Sequence, residues 1–119
     1  MLVNRSVSSS LTHISHLSDN AGKAILARDW KTAVKIYRKI IKLNSQDVSA
    51  WSNLGAAYIE MSEIKKAKHA LKKALALEPE SIPVLGNLAN LYNQTGDAEA
   101  AENLYRLILN HQPDLARAW

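Results

Sequence analysis

Residues 51–79 read WSNLGAAYIEMSEIKKAKHALKKALALEP. Trp51, Leu54, Gly55 and Tyr58 fall at i, i+3, i+4 and i+7, which places them on one stripe of a helix. A break is predicted near Ser62. A second stripe follows in Ile64, Ala67, Leu71, Ala74 and Leu75. Pro79 then prevents that helix from continuing, because it lacks an N–H and its ring collides with the preceding turn. Moving 34 residues forward from the marked positions gives Leu85, Leu88, Ala89, Tyr92, Ala101, Tyr105, Ile108 and Pro113. Moving 34 back gives Leu17, Asn20, Ala21, Ala24, Ala33, Tyr37, Ile40 and Ser45. Trp119 stands two such steps beyond Trp51. A fixed period of this length marks a stack of small supersecondary units rather than one globular core. Such a stack presents a surface that binds, not a pocket that reacts.

The predicted fold is all-α, an α-solenoid of three helix-turn-helix units at 14–47, 48–81 and 82–115. Residues 1–13 are a polar lead-in or helix extension, and 116–119 start a fourth unit. Each unit holds a helix A and then a helix B, antiparallel because the linkers are short. Ser10 is a candidate cap for a first helix carrying Leu11, Ile14, Leu17 and Ala21. Asp47 or Ser49 caps helix A of the second unit. In the third unit Gly96 supplies the positive φ of a helix end and Asp97 caps the helix that follows. Small residues recur where helices must approach closely: Ala21, Gly55 and Ala89 at one position, Ala33, Ala67 and Ala101 at another.

These residues resemble the tetratricopeptide repeat, whose unit has the pattern W-x2-L-G-x2-Y followed by Ala, an aromatic, Ala and Pro. The second unit matches at Trp51, Leu54, Gly55, Tyr58, Ala67, Ala74 and Pro79, with Leu71 for the aromatic. The third matches at Leu88, Tyr92, Ala101, Tyr105 and Pro113, with Leu85 for Trp, and the first is degenerate. The resemblance implies a right-handed superhelix whose A helices line a concave groove for a peptide or a partner's helix. The implied groove positions are Ser49, Asn53, Ala56 and Glu60, then Pro83, Asn87, Asn90 and Gln94, with Ser15, Asp19, Gly22 and Leu26 in the first unit. Asn53 and Asn87 are equivalent, and an amide that both donates and accepts can hold a peptide backbone of any sequence. Chaperone-binding members carry a carboxylate clamp of Lys, Asn and Arg. Here Ser18 and Gly22, then Pro83 and Asn87, occupy the outer clamp positions and only Asn53 matches. Starting one unit later gives Ser52 and Ala56, then Asn87, then Arg117, so the cations are mostly missing and no such clamp is expected.

With 119 residues, 47% hydrophobic, four Gly and three Pro, the chain suits one folded helical domain. Cysteine is absent, which removes disulfides and thiolate metal sites and fits a reducing, cytoplasmic setting. No apolar run is long enough for a membrane span, and the start carries no secretory signal. No cofactor is expected. His13 and His16 lack further ligands nearby, so no metal is expected, and no nucleophile motif or Gly-rich phosphate loop points to catalysis. The net charge of +4 is uneven: residues 23–73 hold twelve of the fifteen Lys and Arg but four of the eleven acids. Lys35, Arg38, Lys39 and Lys42, then Lys65, Lys68 and Lys72, make the B helices basic. That raises RNA binding as a lesser alternative, set behind a solvated outer face.

The expected function is a scaffold or adaptor that binds a protein or peptide ligand. The alternative is an N-terminal array on a larger enzyme, of glycosyltransferase or sulfotransferase type, presenting protein substrates. Because 116–119 begin a helix A and stop, the chain is expected to be truncated. Its C-terminal end, with Leu104, Tyr105, Ile108 and Leu109, is then expected to expose an apolar patch that favours self-association.

Overall fold

In a computed structural model of the chain, the backbone of residues 2–111 and the side chains of residues 12–110 are described. Pro113, the start of a fourth unit and Trp119 lie outside these residues. Six helices follow in order: α1 (Leu2–Leu26), α2 (Trp30–Leu43), α3 (Val48–Glu60), α4 (Ile64–Leu77), α5 (Ile82–Gln94) and α6 (Ala98–His111). There is no strand among the described residues. The expected cap at Ser10 is corrected, because α1 already begins at Leu2 and Ser10 lies inside it. The Ser-rich stretch contains neither Pro nor Gly, so nothing in it breaks a helix.

Four of the later helix starts are capped by side chains, whereas α4, with Glu63 at its N-cap, has no side-chain cap bond. Asp47, not Ser49, caps α3, accepting from the Ala50 N–H at 3.0 Å. Asp97 accepts from Ala100 N–H at 3.1 Å, and Ser81 caps α5, with Pro83 in its first turn. Asp29 caps α2 through the Thr32 N–H and also accepts from the Thr32 hydroxyl at 2.6 Å. The hydroxyl first, and the N–H second, hold this carboxyl below its ordinary range.

The turns between paired helices repeat in detail. Arg28, Ser62 and Gly96 stand 34 residues apart and have φ of 57°, 60° and 81°. The next residue's N–H reaches back in each turn: Asp29 to Ala24, Glu63 to Tyr58 and Asp97 to Tyr92, at 2.8, 2.9 and 2.9 Å. These are six-to-one bonds of the kind that close a helix through a left-handed residue. The break near Ser62 was expected as well, but a left-handed residue was expected only in the third turn, because only Gly96 carries the usual residue signal.

Packing follows the small residues. Ala21, Ala33, Ala67 and Ala89 are fully buried and Ala101 is 1% exposed. Gly55 lies so close to α4 that a Cβ there would meet Leu71 Cγ at 2.5 Å. Each pair, α1 with α2, α3 with α4 and α5 with α6, packs extensively, and α2 and α4 pack on the helices that follow them. α3 also touches α5, whereas no B helix makes a comparable contact with another B helix. Among the A helices α3 and α5 thus lie in contact, and the B helices α2, α4 and α6 fan apart. The described helices are those of an all-α solenoid of helix-turn-helix units.

Candidate functional site

The A layer carries the groove positions inferred from the sequence. On α3, Ser49 and Glu60 are exposed while Asn53 and Ala56 are half-buried. On α5, Pro83, Asn90 and Gln94 are exposed and Asn87 is half-buried. On α1, Ser15 and Asp19 are exposed, and Leu26 is 87% exposed, an unusual state for a large apolar side chain. Gly22 is half-buried, and a Cβ built on it would meet nothing within 4 Å. The surface around it forms an open hollow lined by Ser18, Asp19, Lys23, Ile25 and Leu26. Within the twelve positions the charges are Asp19 and Glu60, and there is no cation.

The two equivalent asparagines are partly engaged by the protein itself. The Asn87 amide donates to the Ser52 hydroxyl at 2.9 Å and to the Ser52 carbonyl at 3.4 Å. Its Oδ1 has no donor among the described residues, so that acceptor remains available. Asn53 instead serves Tyr37 of α2. Burial pushes the Tyr37 hydroxyl above its ordinary range, the Asn53 hydrogen bond works against that rise, and the charge of Asp47 adds to it. The difference between the two asparagines follows from the period. Position 34 beyond Tyr37 is Leu71, which has no hydroxyl, so Asn87 turns to α3.

Ser52 was not among the expected groove residues, although it is only 4% exposed and holds Asn87. The signal for it was a Ser between Trp51 and Leu54 of the apolar stripe, 35 residues before an Asn. A buried hydroxyl demands a partner, and the repeat spacing indicates which helix supplies one. On the outer side, the B helices carry the basic residues as expected. Lys66 Nζ lies 5.8 Å from the Tyr58 ring centre, and Lys68 Nζ the same distance from that of Tyr92.

His13, His16 and His69 are exposed. Among the described residues, no cluster of His, Asp and Glu could hold a metal ion, and no helix is long and apolar enough to cross a membrane. On α6, Tyr105, Leu107 and Leu109 are all more than a third exposed. Tyr105 accepts from Asn93 at 2.9 Å.

Comparison with known proteins agrees with this architecture. The family described as tetratricopeptide repeat matches residues 61–119. Tetratricopeptide repeat protein 37 of Xenopus laevis is 32% identical over 93 residues, covering 76% of this chain. The chain spans only 6% of the length of that relative. Among solved structures, the Arabidopsis OM64 TPR domain superposes with a TM-score of 0.80 at 19% identity, covering 87% of this chain and 86% of that one. The first TPR of Spaghetti (RPAP3), bound to the HSP90 peptide SRMEEVD, gives 0.79 at 17% identity, covering 84% and 79%.

Proposed function

The chain belongs to the tetratricopeptide repeat family, and from that premise we propose that it is a non-catalytic protein-interaction module, its A-helix face taking a peptide or a partner's helix. The units are assigned as 14–47, 48–81 and 82–115, in a cytoplasmic setting. The observation that carries this reading is the row of exposed or half-exposed polar groups on α3 and α5. Ser49, Asn90 and Gln94 are free to bond, and Asn87 keeps an acceptor while its donor fixes the side chain. A pre-ordered amide binds with less loss of side-chain freedom than a mobile one. Without a cation at the groove positions, and with Asp19 and Glu60 there, the surface suits a neutral or basic segment better than an acidic tail. The exposed Leu26 and the space at Gly22 offer one apolar anchor point at the α1 end.

The test selects peptides on the immobilised chain from a displayed random library and measures their affinity by fluorescence polarisation. Asn90→Lys with Gln94→Lys changes two exposed side chains and leaves the Asn87–Ser52 contact alone. Selected peptides are expected to be neutral to basic and to lose about tenfold or more in affinity for this variant. If no selected peptide responds to changes at Ser49, Asn90, Gln94 or Leu26, the A-helix face is not the binding surface.

A further inference from the structure

Because the B helices fan apart, a cleft of about 860 Å³ opens between α2 and α4, with α3 behind it. One wall is α2, with Lys31, Lys35, Arg38, Lys39 and Lys42. The other is α4, with Lys65, Lys66 and His69. No acid lines the cleft, and none of its cations forms an ion pair among the described residues. Between the walls the lining is apolar, with half-buried Val34, Ile41 and Trp51. Seven permanent positive charges around an apolar trough create a local potential that neither feature would produce alone.

This cleft is particular to one place in the array. At the equivalent positions 34 residues on, Glu99 replaces Lys65, Ala100 replaces Lys66, Leu104 replaces Ala70 and Lys68 replaces Val34. The next cleft would therefore lose two cations on one wall, gain an acid and have a charged group in its apolar trough. A basic face serving only solubility would not need the apolar strip, and a strip serving only the core would not need the cations.

We propose that the α2–α4 cleft is a second binding surface, on the side of the molecule away from the A-helix face, for an acidic amphipathic helix of a partner protein. Its Asp and Glu side chains pair with the two basic walls. Apolar side chains at i and i+3 or i+4 enter the trough over Val34, Ile41 and Trp51. A nucleic-acid strand fits less well, because it needs free aromatic faces for its bases. Trp51 meets the His69 ring edge-on with centroids 6.3 Å apart and donates its indole N–H to Ser45 at 2.8 Å. Tyr58 is 8% exposed, with Lys66 over its ring. Tyr58 is therefore closed to a base, which leaves the half-buried Trp51 as the one aromatic ring of the lining still partly open. This surface is independent of the A-helix groove, and the two have opposite charge preferences.

The probe is a fluorescein-labelled helical peptide about 15 residues long, rich in Glu and with Leu at i, i+3 and i+7. A scrambled peptide of the same charge and a poly-uridine strand of matched charge serve as competitors. Binding is read by fluorescence polarisation on the full chain, with circular dichroism melts to confirm folding. Lys35→Glu with Lys65→Glu is expected to weaken binding by about tenfold or more, and Lys72→Glu with Lys73→Glu, outside the cleft, by less than about twofold. Val34→Lys is the decisive variant. It adds a cation, so attraction by charge alone would tighten binding, whereas a peptide seated in the apolar trough binds more weakly. The fold should tolerate it, because Lys68 occupies the equivalent position. Equal loss in both Lys pairs, tighter binding by Val34→Lys or equal affinity of the scrambled peptide overturns the proposal. Stronger competition by poly-uridine overturns it in favour of a nucleic acid. Self-association of the chain that Lys35→Glu with Lys65→Glu abolishes overturns it in favour of a second copy.

Discussion

Asn87 of α5 is tied to Ser52 of α3, donating to its hydroxyl at 2.9 Å, and this bond joins two A helices that belong to successive units. Ser52 is 4% exposed, so its hydroxyl has little access to water when the amide is removed. Asn87→Ala is expected to destabilise the chain by about 1–3 kcal/mol, the cost of leaving a buried polar group unpaired. Ser52→Ala is expected to cost less, because Asn87 is half-exposed and can turn to water. In urea denaturation the double variant should lose less than the two single losses added together. Strict additivity would mean that the contact contributes nothing to stability.

The close approach at Gly55 supports a second prediction. A methyl group there meets Leu71 Cγ and Cδ2 at 2.5 and 2.7 Å, and Leu71 is itself fully buried. Gly55→Ala is therefore expected to cost about 1–3 kcal/mol despite the better helix propensity of Ala. Leu71→Ala alone should cost about 2–5 kcal/mol through the cavity it leaves. Combined, the new methyl moves into that space, so the pair should be less destabilised than the two separate losses predict. Thermal melts of the three variants decide this, and a fully additive pair would contradict the packing.

Tyr37 supplies a pH dependence. Its hydroxyl is held above the ordinary value of 10.0 in the folded chain, chiefly by burial. The folded state then keeps a proton that the unfolded state releases. Stability from this group is fully present below the unfolded value and is lost as pH rises through the folded one. Urea midpoints should fall on moving into the strongly alkaline range. In Tyr37→Phe that alkaline fall should be shallower than in the parent chain. Equal slopes in the two proteins would remove Tyr37 as a source of alkaline sensitivity.

The repeat, the helix pairs and the close Ala and Gly contacts were legible because each depends on residue size at a fixed spacing. Ala67, at the centre of the middle pair, is fully buried as its register requires. Less legible was the detailed bonding of the A helices. Asn53 and Asn87 are identical in type and equivalent in position, yet one serves Tyr37 and the other Ser52. What separates them is Tyr37 against Leu71, one residue type on a different helix, and no local pattern around the asparagines carries that information. The basic face was visible as a charge run. The cleft within it was not, because the separation of α2 and α4 is a property of packing.

The equivalence of Arg28, Ser62 and Gly96 leads to the last prediction. All three close a turn with φ between 57° and 81°, but only Gly96 adopts that conformation without a Cβ penalty. Ser62 is exposed, so its side chain contributes little packing to offset the strain. Ser62→Gly should therefore stabilise the fold, by up to about 1 kcal/mol, because relief of the left-handed strain outweighs the greater freedom Gly gives the unfolded chain. Gly96→Ser is the inverse change at the same position of the next unit, and it should destabilise by a similar amount. The two changes belong to different turns, so their effects should add. Urea denaturation of both single variants and the pair tests this directly. Should Ser62→Gly melt below the parent, the turn would have to be held by its own side chain, and the shared conformation would not mean a shared cost.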